Sequence, residues 1–375
     1  MNFSLTEEQQ ALKDSARQFL ADVCSPEQVR AQMVTPRGHD PEVWQKMATE
    51  LCWTAVMIPE QYDGFGLGVV ALVALMEEFG RSLACSPFFS TVCLATPALL
   101  YGATDAQKAR WLPDIAMGTT TATLAWSEQR ALPVPEEIAA VAKPVSDGWC
   151  VTGTKMFVVD GHTADVLIVA ARREGSTGED GVELFVLPDG ASNLKRERLP
   201  TMDQTRRLAK LTLDGVIVPE ENRLPGGWEA LQNTLNLAMI ALAAEQVGVA
   251  ERSLDMAVEY AKVRQQFNRP IGSFQSIKHK CAQMLLWVES ARSASLYAGW
   301  VATEAPEELA SAAAMARAYC SDASFRCAAE NIQIHGGIGF TWEHDAHLYF
   351  KRAKSASTLF GPASFHREQL AKMIL

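Results

Sequence analysis

Arg264-Gln265-Gln266-Phe267-Asn268-Arg269-Pro270-Ile271-Gly272-Ser273-Phe274-Gln275 is the break that organises the second half of the chain. Upstream of it, apolar residues recur at helical spacing back to about Trp228, and Ala257-Val258-Glu259-Tyr260-Ala261-Lys262 leads directly into Arg264. Asn268-Arg269-Pro270 ends that helix, because the proline ring fixes φ and removes an N–H donor, and a turn begins there. Downstream the helical period resumes and runs to Leu375, with two helices before Gly336. The spacing predicts a bundle led by one long helix, roughly Trp228 to Val263.

Towards the N-terminus the texture changes twice. Between about Thr119 and Glu221 short β-branched runs appear, among them Trp149-Cys150-Val151-Thr152, Met156-Phe157-Val158-Val159, Val166-Leu167-Ile168-Val169 and Glu183-Leu184-Phe185-Val186-Leu187. Gly153-Thr154-Lys155 reads as a hairpin turn, and the segment from Arg173 to Gly181 as an exposed loop. From Thr6 to about Gly118 the pattern is helical, with room for four or five helices. The first is capped by Ser4 or Thr6, and another by the Gly102–Gln107 stretch. The order predicts an α+β fold: a helical domain over 1–118, a β-barrel or sandwich over 119–226, and a helical bundle over 227–375.

Bulk properties narrow the functions. With 375 residues, 48% of them apolar, the chain can bury an extensive core. A formal charge of -10 argues against unspecific binding to nucleic acid or to acidic membranes. Met1-Asn2-Phe3-Ser4-Leu5-Thr6-Glu7-Glu8 has no signal-peptide pattern and no apolar run reaches spanning length, so the expectation is a soluble, cytoplasmic protein. Eight scattered cysteines without a C-x-x-C pair read as reduced core residues. No His/Cys/acid spacing suggests a metal site, and no Gly-x-Ser-x-Gly elbow suggests a hydrolase.

Several residues carry chemistry. A guanidinium at a helix end, Arg264, can grip a pyrophosphate through directed hydrogen bonds, or simply complement the helix dipole. Phe267 offers a flat apolar face, Gln275 and Gln333 both donate and accept, and Gly336 and Gly337 permit close backbone approach. Gly-Gly-x-Gly is also a common helix terminator, so these residues alone leave the cofactor open. His335 and His279 read as packing or hydrogen-bonding residues, and Glu343 as structural or exposed. Glu245 lies two turns beyond Ala238, among Ala243, Ala244, Val247 and Val249. It is either a buried carboxylate with a raised pKa or the partner of an arginine.

Taken together, the segments around Arg264–Gln275 and Gln333–Gly339 resemble the flavin motifs of the acyl-CoA dehydrogenases. Phe3–Gln10, Ile58–Gly66, Gln107–Pro113 and Met202–Arg207 resemble the same family, in the same order, over nearly the whole chain. The resemblance implies that fold with a C-terminal four-helix bundle, and FAD bound between domains and across a subunit interface. It also implies an acyl-CoA substrate, an acceptor such as an electron-transfer flavoprotein, and a homo- or hetero-tetramer. Residues matching Arg264, Phe267, Gln275 and Gln333–Gly337 serve the adenosine and pyrophosphate half of FAD held largely by the neighbouring subunit. On the flavin-ring side the matches are Trp126, Ser127, Phe157 and Val159. There this chain departs from the family's Thr-Glu-Pro, Gly-Ser-Asp and tryptophan-x-threonine patterns.

In the family a glutamate removes the acyl α-proton while the β-hydride passes to flavin, making a double bond. Phe360 and Ala238 stand at the two positions where relatives carry that glutamate, and neither can take a proton. Two readings follow. The chain is a dehydrogenase with another base, Glu245 being the weak candidate, or a catalytically silent subunit that completes the FAD site of a partner carrying the glutamate. A flavin-free interaction protein on the same scaffold is a third, to which the retained adenosine-side motifs run counter.

Overall fold

The computed structural model describes residues 5–188 and 190–375. Packing divides it into two compact units: one comprises the chain up to Ala31 with Val69–Ala84 and Met239–Leu375, the other Gln32–Gly68 and Cys85–Ala238. The helices α1 (Glu7–Val23), α2 (Pro26–Val34), α3 (Pro41–Thr49) and α4 (Gly68–Arg81) come first. A π-helical stretch, Phe89–Ala95, then leads into α5 (Thr96–Gly102) and α6 (Asp105–Ala116). α2 and α5 have only nine and seven residues, too few for periodicity to reveal, and this is why the sequence suggested fewer helices. Thr6 caps α1 in a reciprocal box with Gln9, and Thr104 caps α6 likewise with Gln107. Ser4, the other cap candidate, lies outside the described residues.

The middle segment forms strands β1 (Ala122–Ala125), β2 (Val141–Val145), β3 (Gly148–Val159), β4 (Val166–Arg173), β5 (Val182–Pro188), β6 (Leu194–Arg198), β7 (Leu208–Val218) and β8 (Arg223–Leu224). They make one eight-stranded sheet in the order β6-β7-β3-β2-β4-β5-β8, with β1 added in parallel beside β4. Val151, Leu167, Val169, Phe185, Leu211 and Leu213, from strands across the sheet, share a single buried core. The turn expected at Gly153-Thr154-Lys155 is not there. β3 runs straight through it, with register irregularities between Val151 and Gly153 and between Lys155 and Val158. A Cβ at Gly153 would lie 2.5 Å from that of Ala140, so the glycine serves a close approach inside the sheet.

After β8 come α7 (Gly227–Val263), the two-residue strands β9 (Gln265–Gln266) and β10 (Arg269–Pro270), α8 (Gln275–Glu304), α9 (Leu309–His335), α10 (Ala346–Ala356) and α11 (Ala363–Ile374). In the bundle unit α4 crosses α7 at backbone contact. A Cβ at Gly80 would sit 1.9 Å from the Glu245 carbonyl oxygen, and one at Gly248 1.8 Å from that of Glu77. The buried carboxylates of Glu77 and Glu78 are neutralised from two other helices: Lys13 of α1 reaches Glu77 at 2.8 Å, Arg292 of α8 at 2.9 Å, and Arg17 of α1 forks Glu78 at 2.8 and 3.0 Å. None of the eight cysteines forms a disulfide; Cys85, Cys93, Cys320 and Cys327 are buried, while Cys24, Cys52, Cys150 and Cys281 are only partly so, which corrects the reading of all eight as core. Among the described residues no helix is long and apolar enough to cross a membrane, and no group of potential ligands could hold a metal ion.

Candidate functional site

In the bundle unit, one end gathers the residues expected to serve a nucleotide. Arg264 follows the last residue of α7, and its carbonyl accepts the Ile271 N–H at 2.8 Å, closing the small β9–β10 hairpin. Phe267 and Asn268 at its tip take left-handed φ of 52° and 61°, a conformation asparagine tolerates and phenylalanine adopts only when the turn imposes it. The Phe267 ring is 86% exposed. Phe274 meets it edge-on at 6.1 Å and is itself covered by the Arg269 guanidinium at 4.1 Å.

Gln275 opens α8, Gln333 lies in the last turn of α9, and Gly336 ends α9 with φ +64°. Added Cβ atoms at Gly336 and Gly337 would meet nothing within 4 Å. The two segments are tied together because Ile271 and Tyr260 pack on the core that holds Ile334, and the Tyr260 ring stacks on His335 at 4.3 Å. Arg264, Phe267, Gln275, Gln333, Gly336 and Gly337 are all exposed. A guanidinium, an uncovered aromatic ring, two carboxamides and an open glycine turn at one end of a bundle suit an anionic, aromatic ligand.

The other unit carries the ring-side residues. Trp126 and Ser127 follow β1; Phe157 and Val159 lie on β3. The Met156 N–H donates to the Ser127 carbonyl at 2.9 Å, and the Thr123 hydroxyl to that of Val159 at 2.7 Å, so these four residues are brought side by side. Phe157 is exposed with φ +58°; Trp126, Ser127 and Val159 are buried. The Ser127 hydroxyl oxygen has no hydrogen-bond partner among the described residues.

The loop beyond Ser127 is closed by two reciprocal carboxylates. One oxygen of Glu137 accepts the N–H groups of Glu128, Gln129, Arg130 and Ala131 at 2.6 to 3.2 Å. Glu128 in turn accepts those of Ala139 and Ala140, each at 2.9 Å, and the Lys155 ammonium at 2.5 Å. Burial drives the Lys155 pKa down, and the adjacent Glu128 carboxylate opposes that shift.

The positions considered for a base are sealed. Ala238 is buried; Glu245 is buried and meets the equally buried Arg352 at 3.1 Å, so its carboxylate already has a cationic partner. Phe360 is 3% exposed and held at φ +58°. Arg317, fully buried, donates one Nη to the carbonyls of Ala356 at 2.6 Å and Leu359 at 2.7 Å, and the other to the Gln246 side chain at 3.1 Å. The His366 Nε2–H donates to the Phe360 carbonyl at 2.7 Å. Burial lowers the Arg317 pKa to about 10; burial and the nearby Arg317 lower that of His366 to about 4. The guanidinium thus stays charged and the imidazole neutral around pH 7.

Family models match nearly all of the chain in three consecutive pieces. These are the acyl-CoA dehydrogenase N-terminal domain over residues 6–119, the middle domain over 123–216 and the C-terminal domain over 225–375. The chain belongs to the acyl-CoA dehydrogenase family. It is 33% identical over 369 residues, 98% of each chain, to acyl-CoA dehydrogenase IpdE2 of Mycolicibacterium smegmatis. Among solved structures it is similar to the ChsE4-ChsE5 complex of Mycobacterium tuberculosis, with TM-score 0.91, 28% identity and coverage of 100% of this chain and 99% of that one. It is equally similar to butyryl-CoA dehydrogenase of Megasphaera elsdenii, with TM-score 0.92, 28% identity and full coverage of both chains. The fold is that of the family: an N-terminal helical domain, a middle β-sheet domain and a C-terminal helical bundle.

Acyl-CoA dehydrogenases are flavoprotein oxidoreductases, and two local features fit a flavin nucleotide. The unfilled space over Gly336 and Gly337 admits close approach of an anion, and the unpartnered, buried Ser127 hydroxyl is the kind of group a polar ring edge would satisfy. Arg317 and the Glu128–Glu137 clasp escaped the sequence reading. A lone arginine in the small apolar run Ala312-Ala313-Ala314-Met315-Ala316-Arg317-Ala318 was a usable signal for the first. The second depends on partners that only the folded loop brings together.

Proposed function

We propose that this chain is a subunit of a heteromeric FAD-dependent acyl-CoA dehydrogenase, completing the nucleotide half of a site whose proton-abstracting glutamate belongs to a partner chain. The observation that carries this reading is the contrast between the exposed, ligand-ready end at Arg264, Phe267 and Gly336 and the sealed, apolar turn at Phe360. Arg264 would pair with the pyrophosphate, Phe267 pack on the adenosine, and Gln275 and Gln333 satisfy its polar edge. FAD, when bound, supplies the hydride-accepting ring. Glu245 does not act as a base in this reading, because its buried carboxylate is already engaged by the buried Arg352. The oligomer is a cytoplasmic heterotetramer, and its electrons pass to an acceptor such as an electron-transfer flavoprotein.

A second reading, a self-sufficient dehydrogenase, draws on the unpartnered Ser127 hydroxyl, which suits a flavin ring held by this chain itself. Native mass spectrometry of the purified chain separates the two. The heteromeric reading expects less than one flavin per copy of the chain alone and a rise to stoichiometry with its partner; a homotetramer with a full flavin complement and turnover would overturn it.

A further inference from the structure

The Gly336–Phe340 turn, which the functional reading places against the nucleotide, buries only Gly339, against Ile332 and His335 of α9; Gly336, Gly337, Ile338 and Phe340 are exposed. It is held from both flanks by a stack of rings. Tyr260 of α7 lies on His335 at 4.3 Å, and His335 lies against His344 at 4.3 Å on the far side of the turn. The His335 Nδ1–H donates to the Asn331 carbonyl at 2.8 Å. His344 works the other way: its Nδ1 accepts the Ala346 N–H at 3.1 Å and thereby caps α10. A ring nitrogen that accepts carries no proton, so this cap exists only in the neutral imidazole.

The surroundings are cationic. Arg30 of α2 holds the Asp345 carboxylate at 2.7 Å and the His344 carbonyl at 3.3 Å. Arg30 and Lys351 both lie over the Trp342 ring, at 5.9 and 4.4 Å, and His347 meets that ring edge-on at 4.8 Å. Arg252 of α7 acts on His344 from another side. Asp345, already paired with Arg30, is the carboxylate that faces the stack; Glu343 points to the exposed side of its own segment.

We propose that His344 is a positioning residue: packed at a tilt against His335 and capping α10, it holds the Gly336–Phe340 turn in its nucleotide-receiving conformation, and its protonation releases the turn. Charging His344 would break the Ala346 cap and place a positive charge against the His335 ring, with Arg30 and Arg252 nearby. The direction of titration agrees. Burial lowers the pKa of both His335 and His344 below the ordinary 6.5, so the closed turn binds fewer protons than the open one. Its stability is complete above about 6.5 and falls as the pH drops below that value. The nucleotide's role in this rests on the function proposed above; the turn's response to pH does not.

The test is amide hydrogen exchange of the 333–345 segment in the full chain between pH 7.5 and 5, corrected for the intrinsic chemical rate, in the wild type and in His344→Asn. Asparagine keeps a cap acceptor but does not titrate. In the wild type, opening is expected to increase by up to about tenfold per pH unit below 6.5 for each proton taken up. In His344→Asn the slope should fall by the proton that His344 takes up, leaving at most the share due to His335, while the α10 amides stay protected at pH 7.5. A flat wild-type profile, or an unchanged slope in His344→Asn, overturns the proposal. ADP, added as the probe, separates the two claims. Protection of the segment by ADP at pH 7.5 that is lost at pH 5 supports both, and a turn that opens with pH but is never protected by ADP leaves the positioning role standing and removes the nucleotide.

Discussion

The bundle unit presents two turns of opposite character. The one after α9 is open: Gly336 and Gly337 face empty space, Phe267 and Arg264 lie in solvent, and the turn is held by Gly339 packed against Ile332 and His335 and by the Tyr260 ring stacked on His335. The one after α10 is closed: Phe360 is buried, its backbone is left-handed, and Arg317 and His366 hold its carbonyls. An open turn of this kind is free to take a ligand, whereas a closed one spends its polar groups on itself. On the proposed function, binding belongs to the first and structure to the second.

The sharpest way to break that contrast is Arg317→Met. Removing a buried guanidinium leaves the Ala356 and Leu359 carbonyls unpaired, with an expected loss on the order of 4 kcal/mol in urea unfolding of the full chain. A loss under about 1 kcal/mol would mean that the closed turn does not depend on it. Glu245→Gln comes next, at about 3 kcal/mol, because a buried ion pair with Arg352 is broken. A neutral effect on stability combined with a large fall in turnover would instead make Glu245 a base.

A subtler test compares Phe360→Gly with Phe360→Ala. Both lose the buried ring, but only glycine accepts the left-handed φ freely, so the alanine variant should be less stable by about 1 kcal/mol. Equal stabilities would remove backbone strain from the account. The smallest expected effect on folding is Phe267→Ala at the open turn, within about 0.5 kcal/mol of wild type, accompanied by loss of flavin or partner affinity. If flavin content and assembly were untouched, the ring would be a bystander.

Much of the frame was legible in the chain because it rests on local rules. The helical period located α7 to within a residue or two of its observed start and placed Arg264 at its end, and the caps expected at Ser4 or Thr6 and within Gly102–Gln107 include the observed capping boxes of Thr6 and Thr104. Gly153 misled because glycine signals a turn and a bulge alike, and only the crowding against Ala140 decides between them. Other contacts have no local signature: α4 meeting α7 through Gly80 and Gly248, the four N–H groups converging on Glu137, and His335 packed against His344. Their partners lie many residues apart, or on opposite sides of a turn whose path the sequence leaves open.

The most direct test of the central claim is the anaerobic visible spectrum of this chain, purified alone and supplied with FAD, before and after addition of a panel of acyl-CoA thioesters. The account predicts little bound flavin, and no thioester bleaching whatever flavin is retained. Stoichiometric flavin bleached by a thioester, with the enoyl product formed, would contradict it and establish a base within this chain.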